Sequence, residues 1–197
     1  GSYVDGFLLA PSPGGFNSGV AAGLGPAITS VAHSPARPTA AQPLLVTATI
    51  TPKIDAIATV TLRYRAMFGN ETTLPMFDDG LHNDGAAGDH VYGATIPGAI
   101  ATAGQMIRYA ITTADASGRD ARSPAFLDQT GTKQSPQYFG TVVVNPGVST
   151  ALPVIEWFAQ NSAAGHTRGG TRGSLSYQGE FYDNVFFRDR GAATVAG

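Results

Sequence analysis

The segment with the clearest potential for chemistry is an acidic stretch at residues 76–93, MFDDGLHNDGAAGDHVYG. It places four aspartates and one asparagine within twelve residues, with three glycines between them. Like charges this close repel one another unless a cation or hydrogen bonds offset the repulsion. Oxygen ligands suit Ca²⁺, and glycines allow backbone carbonyls to turn toward an ion. The segment therefore predicts a calcium site, with these ligands: Asp78, Asp79, Asn83, Asp84 and Asp89.

Two other interpretations of the acidic segment remain open. The spacing is not that of an EF-hand, because no glutamate closes a twelve-residue loop. Asp, Asn and Gly also favour ordinary solvated turns, since their side chains or backbones suit local hydrogen bonding. His82 and His90 add a third alternative, a zinc ion held by histidine and aspartate.

Signs of a catalytic centre are scarce in the rest of the sequence. The absence of cysteine excludes disulfides, thiolate metal sites and cysteine nucleophiles. Neither G-x-S-x-G nor H-E-x-x-H occurs. A glycosidase-like carboxylate pair has no sequence signature, and Glu71 and Glu156 are strand acids that would be candidates for it. The sequence indicates a chain that is not an enzyme by itself.

The charge pattern narrows the classes of partner. The formal net charge is -2, the isoelectric point is near 6.0, and the basic residues form no patch. This predicts no nucleic-acid partner, because such binding needs a basic surface. No apolar run approaches the roughly 20 residues that a membrane-spanning helix needs, so we also expect no membrane span.

The elements that would position the acidic segment are β-strands. Residues 44–51 and 57–68 alternate apolar and polar side chains with period 2, the pattern of half-buried strands. Similar short runs with turn signals between them occupy residues 28–33, 71–77, 90–97, 105–116 and 137–144. Seven strands in this arrangement are typical of an immunoglobulin (Ig) or fibronectin type III-like β-sandwich. We therefore predict an all-β protein with an Ig-like sandwich at residues 27–146.

The flanking segments differ from this pattern. Residues 1–26 are interpreted as the end of an upstream domain with a linker, and residues 147–197 as a linker with a partial β-rich extension. This tail has a strand-like run at 152–159, a Gly/Arg-rich loop at 161–174 and a hairpin around Gln178-Gly179. It is too short to close a core alone. We expect the tail to be less stably held than the sandwich, with proteolysis starting in the loop.

The acidic segment and the tail also carry a family resemblance. F-D-D-G-x-H-N-D-G-A-A-G-D-x-V-Y-G resembles the Ig-like domain of large exported bacterial proteins, which often precedes a CotH-type, atypical kinase-like domain. LPVIEWFA resembles the opening strand of CotH-type domains, and APSPGGFNS near the N-terminus resembles the close of lamin-tail-like sandwiches. The tail hairpin resembles the CotH-type hairpin at Tyr177, Gly179, Tyr182, Asn184, Val185, Arg188, Arg190 and Gly191.

The resemblance implies a secreted or cell-surface protein of several domains, with the tail as an incomplete CotH-like N-terminal segment. CotH-type kinases resemble protein kinases in needing a phosphate-binding lysine and metal-binding acids further along. No lysine follows Lys133 in this sequence. Phosphoryl transfer depends on such positioned charges, so the tail is expected to be an inactive fragment.

Three functions follow from these observations. The first is a non-catalytic Ig-like interaction or spacer module, stabilised by calcium, whose partners are neighbouring domains of the parent protein, a polysaccharide or a cell-surface protein. The second is a carbohydrate-binding module attached to an exported enzyme. It would use a stacking platform of Tyr64, Tyr92, Tyr109 and Tyr138, although strand alternation turns several of them inward. The third is an inactive fragment of a CotH-type protein kinase.

Overall fold

The strands of the protein were located in a computed structural model, which describes residues 24–125 and 137–190. The described strands are β1 (Ala27–Ser34), β2 (Leu44–Thr51), β3 (Ile57–Ala66), β4 (Thr72–Pro75), β5 (Val91–Ile96), β6 (Met106–Asp115), β7 (Asp120–Ser123), β8 (Phe139–Val142), β9 (Ile155–Ala159), β10 (Thr171–Tyr177) and β11 (Glu180–Phe187). Two short helical turns accompany them, a 3-10 turn at Gly98–Ile100 and the helix α1 at Ser162–Gly165.

Strands β1 to β8 form two antiparallel sheets. The first has the order β1-β2-β5. The second has the order β4-β3-β6, and both β7 and β8 pair with the free edge of β6. Strand β7 pairs with residues 111–114 of β6, and β8 pairs with residues 106–109. The prediction of an all-β, Ig-like sandwich is confirmed.

The core lies between these two sheets and follows the period-2 alternation of the strands. Strand β2 buries every second side chain, with Leu44, Val46 and Ile50 fully inaccessible to solvent. Leu62 on β3 and Ile111 on β6 are equally buried in the same cluster. Each buried aliphatic side chain of this kind contributes about 1.5–3 kcal/mol relative to exposure. The alternation explains why the sequence pattern located these strands correctly.

Strand β6 departs from the alternation, because its side chains are buried on both faces from Met106 to Ile111. Ile107, Tyr109 and Ile111 enter the core. Arg108 and Ala110 point to the opposite face and are also buried. Something must therefore cover the outer face of β6.

The cover on that side includes a third sheet, with the order β11-β10-β9, built from the C-terminal tail. Phe181 on β11 packs against Gly140 on β8 so closely that a Cβ at position 140 would lie 2.5 Å from the Phe181 ring. The tail is thus packed on the sandwich. The boundary drawn between residues 27–146 and 147–197 stays a prediction.

Two features differ from what the sequence pattern predicted. Strand β7 was not predicted. The loop predicted at 161–174 contains the helix α1 and the first residues of β10. Most of the upstream segment at 1–26, and Gly191 of the hairpin motif, lie outside the described residues. In the part of the chain that the structure describes, no helix is long and apolar enough to cross a membrane.

Candidate functional site

The acidic segment forms the loop between β4 and β5. Its ends are joined by a β-bridge between Phe77 and Gly93, with N–O distances of 3.1 and 2.8 Å. The ring of His82 stacks on Phe77 with centroids 4.6 Å apart. Gly93 is required at the stem, because a Cβ there would lie 2.6 Å from the carbonyl oxygen of His82. This bridge is the stem of the loop, and it fixes the two ends of the acidic segment.

Asp84 is the buried centre of this loop, with only 2% of its surface exposed. Its Oδ2 accepts hydrogen bonds from the backbone N–H groups of Asp79 (2.8 Å) and Gly80 (2.9 Å), and its Oδ1 accepts one from that of His82 (2.9 Å). These bonds favour the ionised carboxylate. The bond from Gly80 is the largest influence on its pKa, which lies below the ordinary aspartate value.

Asp78 joins the two ends of the loop in a similar way. Its Oδ1 accepts hydrogen bonds from the backbone N–H groups of Gly88 (2.8 Å) and Asp89 (3.2 Å), and its Oδ2 accepts one from His90 (3.0 Å). Asp89 in turn accepts two backbone hydrogen bonds within its own turn, at 3.0 and 2.9 Å. Both carboxylates therefore hold backbone in place.

The remaining predicted ligands lie on the outer side of the loop. Asp79 accepts hydrogen bonds from Nδ1 of His82 (2.8 Å) and from the backbone N–H of Leu81 (2.9 Å). The His82 ring is the main reason why the pKa of Asp79 is lowered. Asn83 is exposed and has a positive φ of 55°, a conformation that asparagine tolerates better than most residues.

The arrangement of these side chains bears on metal binding. Among residues 24–125 and 137–190, no group of three or more His, Cys, Asp or Glu side chains is placed to hold a metal ion. The structure brings the five predicted ligands into one loop, and the four carboxylates accept hydrogen bonds from its backbone. Calcium binding at this loop stays a prediction, as does the zinc alternative.

A second polar site, which was not predicted from the sequence, joins the tail to the sandwich. Arg108 on β6 donates to Asp183 on β11 through Nε (3.1 Å) and Nη2 (2.8 Å). Asp183 also accepts hydrogen bonds from the backbone N–H of Tyr138 (2.8 Å) and the hydroxyl of Ser174. The exposed fractions of the Arg108 and Asp183 side chains are 2% and 0%. The signal in the sequence was an arginine inside the apolar run QMIRYAI.

Two other acids on the sandwich and the tail are paired with arginines. Glu156 on β9 binds Arg37 at 2.7 Å, and Glu71 binds Arg63 at 2.7 Å. Glu71 also accepts a hydrogen bond from the Tyr138 hydroxyl at 2.9 Å. These pairings give Glu71 and Glu156 structural roles, which differ from the glycosidase-like pair considered from the sequence.

The four tyrosines considered as a stacking platform do not form one. Tyr64, Tyr109 and Tyr138 are buried, and Tyr92 is half-buried. Alternation turns Tyr64 and Tyr109 into the core, as expected from the sequence. The guanidinium groups of Arg65 and Arg108 cover the Tyr138 ring, at 4.4 and 4.6 Å from its centroid. A sugar-binding platform at these positions is therefore wrong.

The hairpin of the tail forms where the sequence predicted it. Gln178 and Gly179 are the two turn residues between β10 and β11, with positive φ values of 51° and 87°. Such values are typical of two-residue hairpin turns. Arg188 and Arg190, two positions of the hairpin motif, are exposed.

The fold defines the class of protein. Two antiparallel sheets packed over a common core make strands β1 to β8 an Ig-like β-sandwich. More particularly, residues 30–123 match a family model described as the second Ig-like domain of conditioned medium factor. The match runs from β1 to β7, includes the acidic loop and ends before β8. Neither the search of curated proteins nor the search of solved structures found a match. Ig-like domains are typically non-catalytic.

Proposed function

We propose that the protein is a non-catalytic Ig-like spacer and interaction module of a secreted or cell-surface protein with several domains. The observation that carries this proposal is the buried pair of Arg108 and Asp183, which joins the C-terminal sheet to the sandwich. A joint of this kind keeps the segments before β1 and after β11 in a fixed relation. Neighbouring domains attached to them would then be held at a defined orientation.

The geometry of the pair supports a stiff joint. Both side chains are buried, the contact is bidentate, and Asp183 accepts four hydrogen bonds from three residues. Bidentate arginine–carboxylate contacts fix orientation as well as distance. A rotation that separates Arg108 from Asp183 while both side chains stay buried would leave their charges unpaired, which is costly. Rotation of the C-terminal sheet is therefore opposed.

An extracellular location has separate support. The family model that matches residues 30–123 is named after conditioned medium factor, and the acidic segment resembles Ig-like domains of exported proteins. The predicted partners are neighbouring domains of the same parent protein, with a cell-surface protein or a polysaccharide as an external partner.

The stiffness of the joint can be measured with a pair of spin labels. The sequence contains no cysteine, so Thr95→Cys on β5 and Ala163→Cys on α1, both exposed, give a unique label pair. We expect double electron–electron resonance to give a single narrow distribution of the distance between the two labels. Adding Asp183→Ala should broaden it, whereas adding Arg37→Ala at the exposed edge of the joint should not. A broad distribution without either substitution would exclude a spacer of fixed orientation.

The proposal also includes stabilisation of the module by calcium bound at the acidic loop. The density of carboxylates in the acidic loop supports it, while the backbone hydrogen bonds to the same carboxylates offset repulsion without an ion. If the folded state binds Ca²⁺, a hundredfold excess over the dissociation constant would add about 2.7 kcal/mol to the free energy of unfolding. The melting temperature should then rise by several degrees with Ca²⁺, fall with chelator and lose this response in Asp89→Ala. Identical curves with Ca²⁺ and chelator would exclude a role for calcium.

The tail also supports a second candidate function, that of an inactive fragment of a CotH-type kinase. The supporting observation is a hairpin with Tyr177, Gly179 and Tyr182 at the motif positions and a two-residue turn at Gln178 and Gly179. If ATP raises the melting temperature, and Arg188→Ala together with Arg190→Ala abolishes the shift, nucleotide binding is retained. Without any shift, only the spacer role is supported. We expect no ATP turnover in either case.

A further inference from the structure

The exposed apolar side chains of the protein are concentrated on the C-terminal sheet and the segment that leads to it. Nine large apolar or aromatic side chains are exposed in residues 24–125 and 137–190, and six of them lie between positions 148 and 182. These six are Val148, Leu152, Val154, Ile155, Trp157 and Tyr182. Scattered exposed apolar residues need no explanation, but a contiguous apolar surface often marks a binding site.

The strand register shows that the aromatic members of this group share one face. Trp157 on β9 and Tyr182 on β11 both pair with Leu175 on β10. Residues paired across antiparallel strands point to the same side of a sheet. The two rings are therefore separated by two strand spacings, about 10 Å. We call the residues Ile155, Trp157, Leu175, Tyr177 and Tyr182 the outer face of the C-terminal sheet.

The other face of the same sheet is the one that packs on the sandwich. It carries Phe181 against Gly140 and Asp183 against Arg108. Ser174 and Ser176 are small and buried on that side. The sheet is therefore anchored on one side, while Trp157 and Tyr182 on the other side remain 49% and 51% exposed.

The chemistry of the outer face selects one kind of ligand. None of its five residues is charged, and Glu180 pairs with Tyr177 at its edge. An uncharged surface gives no attraction to nucleic acid or phosphate. Half-exposed Trp and Tyr suit ligands that are apolar on one surface and hydrated on another, because each ring also carries a polar N–H or O–H group. Pyranose rings match this description, with C–H groups on their faces and hydroxyls at their edges.

We propose that the outer face of the C-terminal sheet binds a neutral polysaccharide, with sugar rings stacked on Trp157 and Tyr182. The two rings lie on either side of Leu175, on a sheet whose other face is fixed to the sandwich, and the Trp157 ring is held against that of Phe187 with centroids 5.4 Å apart. The platform is therefore formed before the ligand arrives. A preformed platform reduces the entropic cost of binding. This site is separate from the joint at Arg108 and Asp183, so the spacer role and the sugar-binding role can each fail without the other.

The experiment uses the full chain with four neutral polysaccharides, namely cellulose, chitin, xylan and amylose. Trp157 is the only tryptophan in the sequence, so intrinsic fluorescence reports on the proposed site directly. We expect at least one polysaccharide to deplete the protein from solution, and its soluble oligosaccharide to shift Trp157 emission and protect it from acrylamide quenching. Trp157→Ala and Tyr182→Ala should each weaken binding about tenfold.

Controls separate this outcome from the alternatives. Ile54→Ala removes an exposed apolar side chain elsewhere on the surface and should leave binding unchanged. All variants are compared only if their melting temperatures match that of the wild type. The proposal is overturned if none of the four polysaccharides binds, or if binding survives both ring substitutions. It is also overturned if Trp157 emission shifts with protein concentration and sedimentation shows a dimer forming over the same range. The outer face would then contact a second copy of the chain.

Discussion

At the scale of single residues, Asp84 shows how the acidic loop holds its shape. Its carboxylate is buried in a loop that is mostly exposed, and it accepts three backbone hydrogen bonds at 2.8–2.9 Å. Backbone N–H groups buried without a partner are costly, so the ionised side chain replaces the partners that a regular strand would supply. The residue types in the sequence predicted an acidic loop at this position, as a calcium site, a solvated turn or a zinc site.

The sequence did not determine what the carboxylates contact. A calcium loop and a loop closed by backbone hydrogen bonds both use Asp, Asn and Gly, because both need oxygen acceptors and unusual φ values. Which of the two forms depends on the direction of each carboxylate. That direction is set by the stem at Phe77 and Gly93, which pairs residues sixteen positions apart. Local composition contains no information about such a pairing.

The pKa of Asp84 gives a prediction about acid stability. The folded carboxyl titrates below the ordinary value of about 3.9, so the unfolded state binds more protons in acid. The contribution of Asp84 is complete at neutral pH and is lost progressively as the pH falls through about 4 toward the folded pKa. We expect Asp84→Asn to lower the urea midpoint at pH 7 and to flatten the fall in stability between pH 5 and pH 2.

The measurement is urea unfolding across this pH range. Leu81→Ala changes an exposed side chain of the same loop. This variant should lose stability between pH 5 and pH 2 as the wild type does. If Asp84→Asn loses as much stability between pH 5 and pH 2 as the wild type does, another group causes the acid dependence.

At the scale of elements, the sequence pattern located every strand of the sandwich except β7, which shows no alternation of buried and exposed side chains. Strand β7 has the sequence DARS and lies at an edge, so it offers no alternation to detect. Strand β6 is buried on both faces, and only contacts with distant strands explain why it contains Arg108. The packing of β11 on β8 could not be derived from the sequence, because Phe181 and Gly140 are forty-one positions apart.

The contact between β8 and β11 can be tested at Gly140. A methyl group there would lie 2.5 Å from the Phe181 ring and 2.8 Å from the backbone oxygen of Ile107. Overpacking of this kind costs about 1–3 kcal/mol, so Gly140→Ala should lower the free energy of unfolding by that amount. Gly165→Ala on α1 is the matched control, because its Cβ would make ordinary contacts from 3.5 Å. Equal urea midpoints for both variants would show that β11 does not pack tightly on β8.

At the scale of the whole molecule, the buried pair makes the tail and the sandwich depend on each other. From the sequence, the tail was expected to be the less stable part and the first to be cleaved. The structure gives a reason to expect joint unfolding, because separating β11 from β6 breaks the buried bidentate contact between Arg108 and Asp183. The exposed helix and loop near residue 165 remain suitable for proteolytic cleavage even if the sheet stays docked.

The contribution of the joint to the free energy of unfolding can be measured by comparing two ion pairs. Asp183→Ala should lower the free energy of unfolding by about 3–5 kcal/mol, the usual effect of leaving a buried partner without its counter-charge. Arg37→Ala breaks the more exposed pair with Glu156 and should cost at most about 1 kcal/mol. Chemical unfolding followed by circular dichroism gives both values. Similar losses for the two variants would mean that the Arg108–Asp183 pair is not the main connection.

Native-state hydrogen exchange of the wild-type protein tests the central claim of a single stiff unit most directly. The backbone amides of β10 and β11 are expected to exchange with the same opening free energy as those of β6, because the sheets open together. In Asp183→Ala, protection should fall first in β9 to β11 and remain in β2, β3 and β6. Free opening of β10 and β11 in the wild type, while β6 stays protected, would contradict the account and leave the C-terminal sheet as a loosely attached segment.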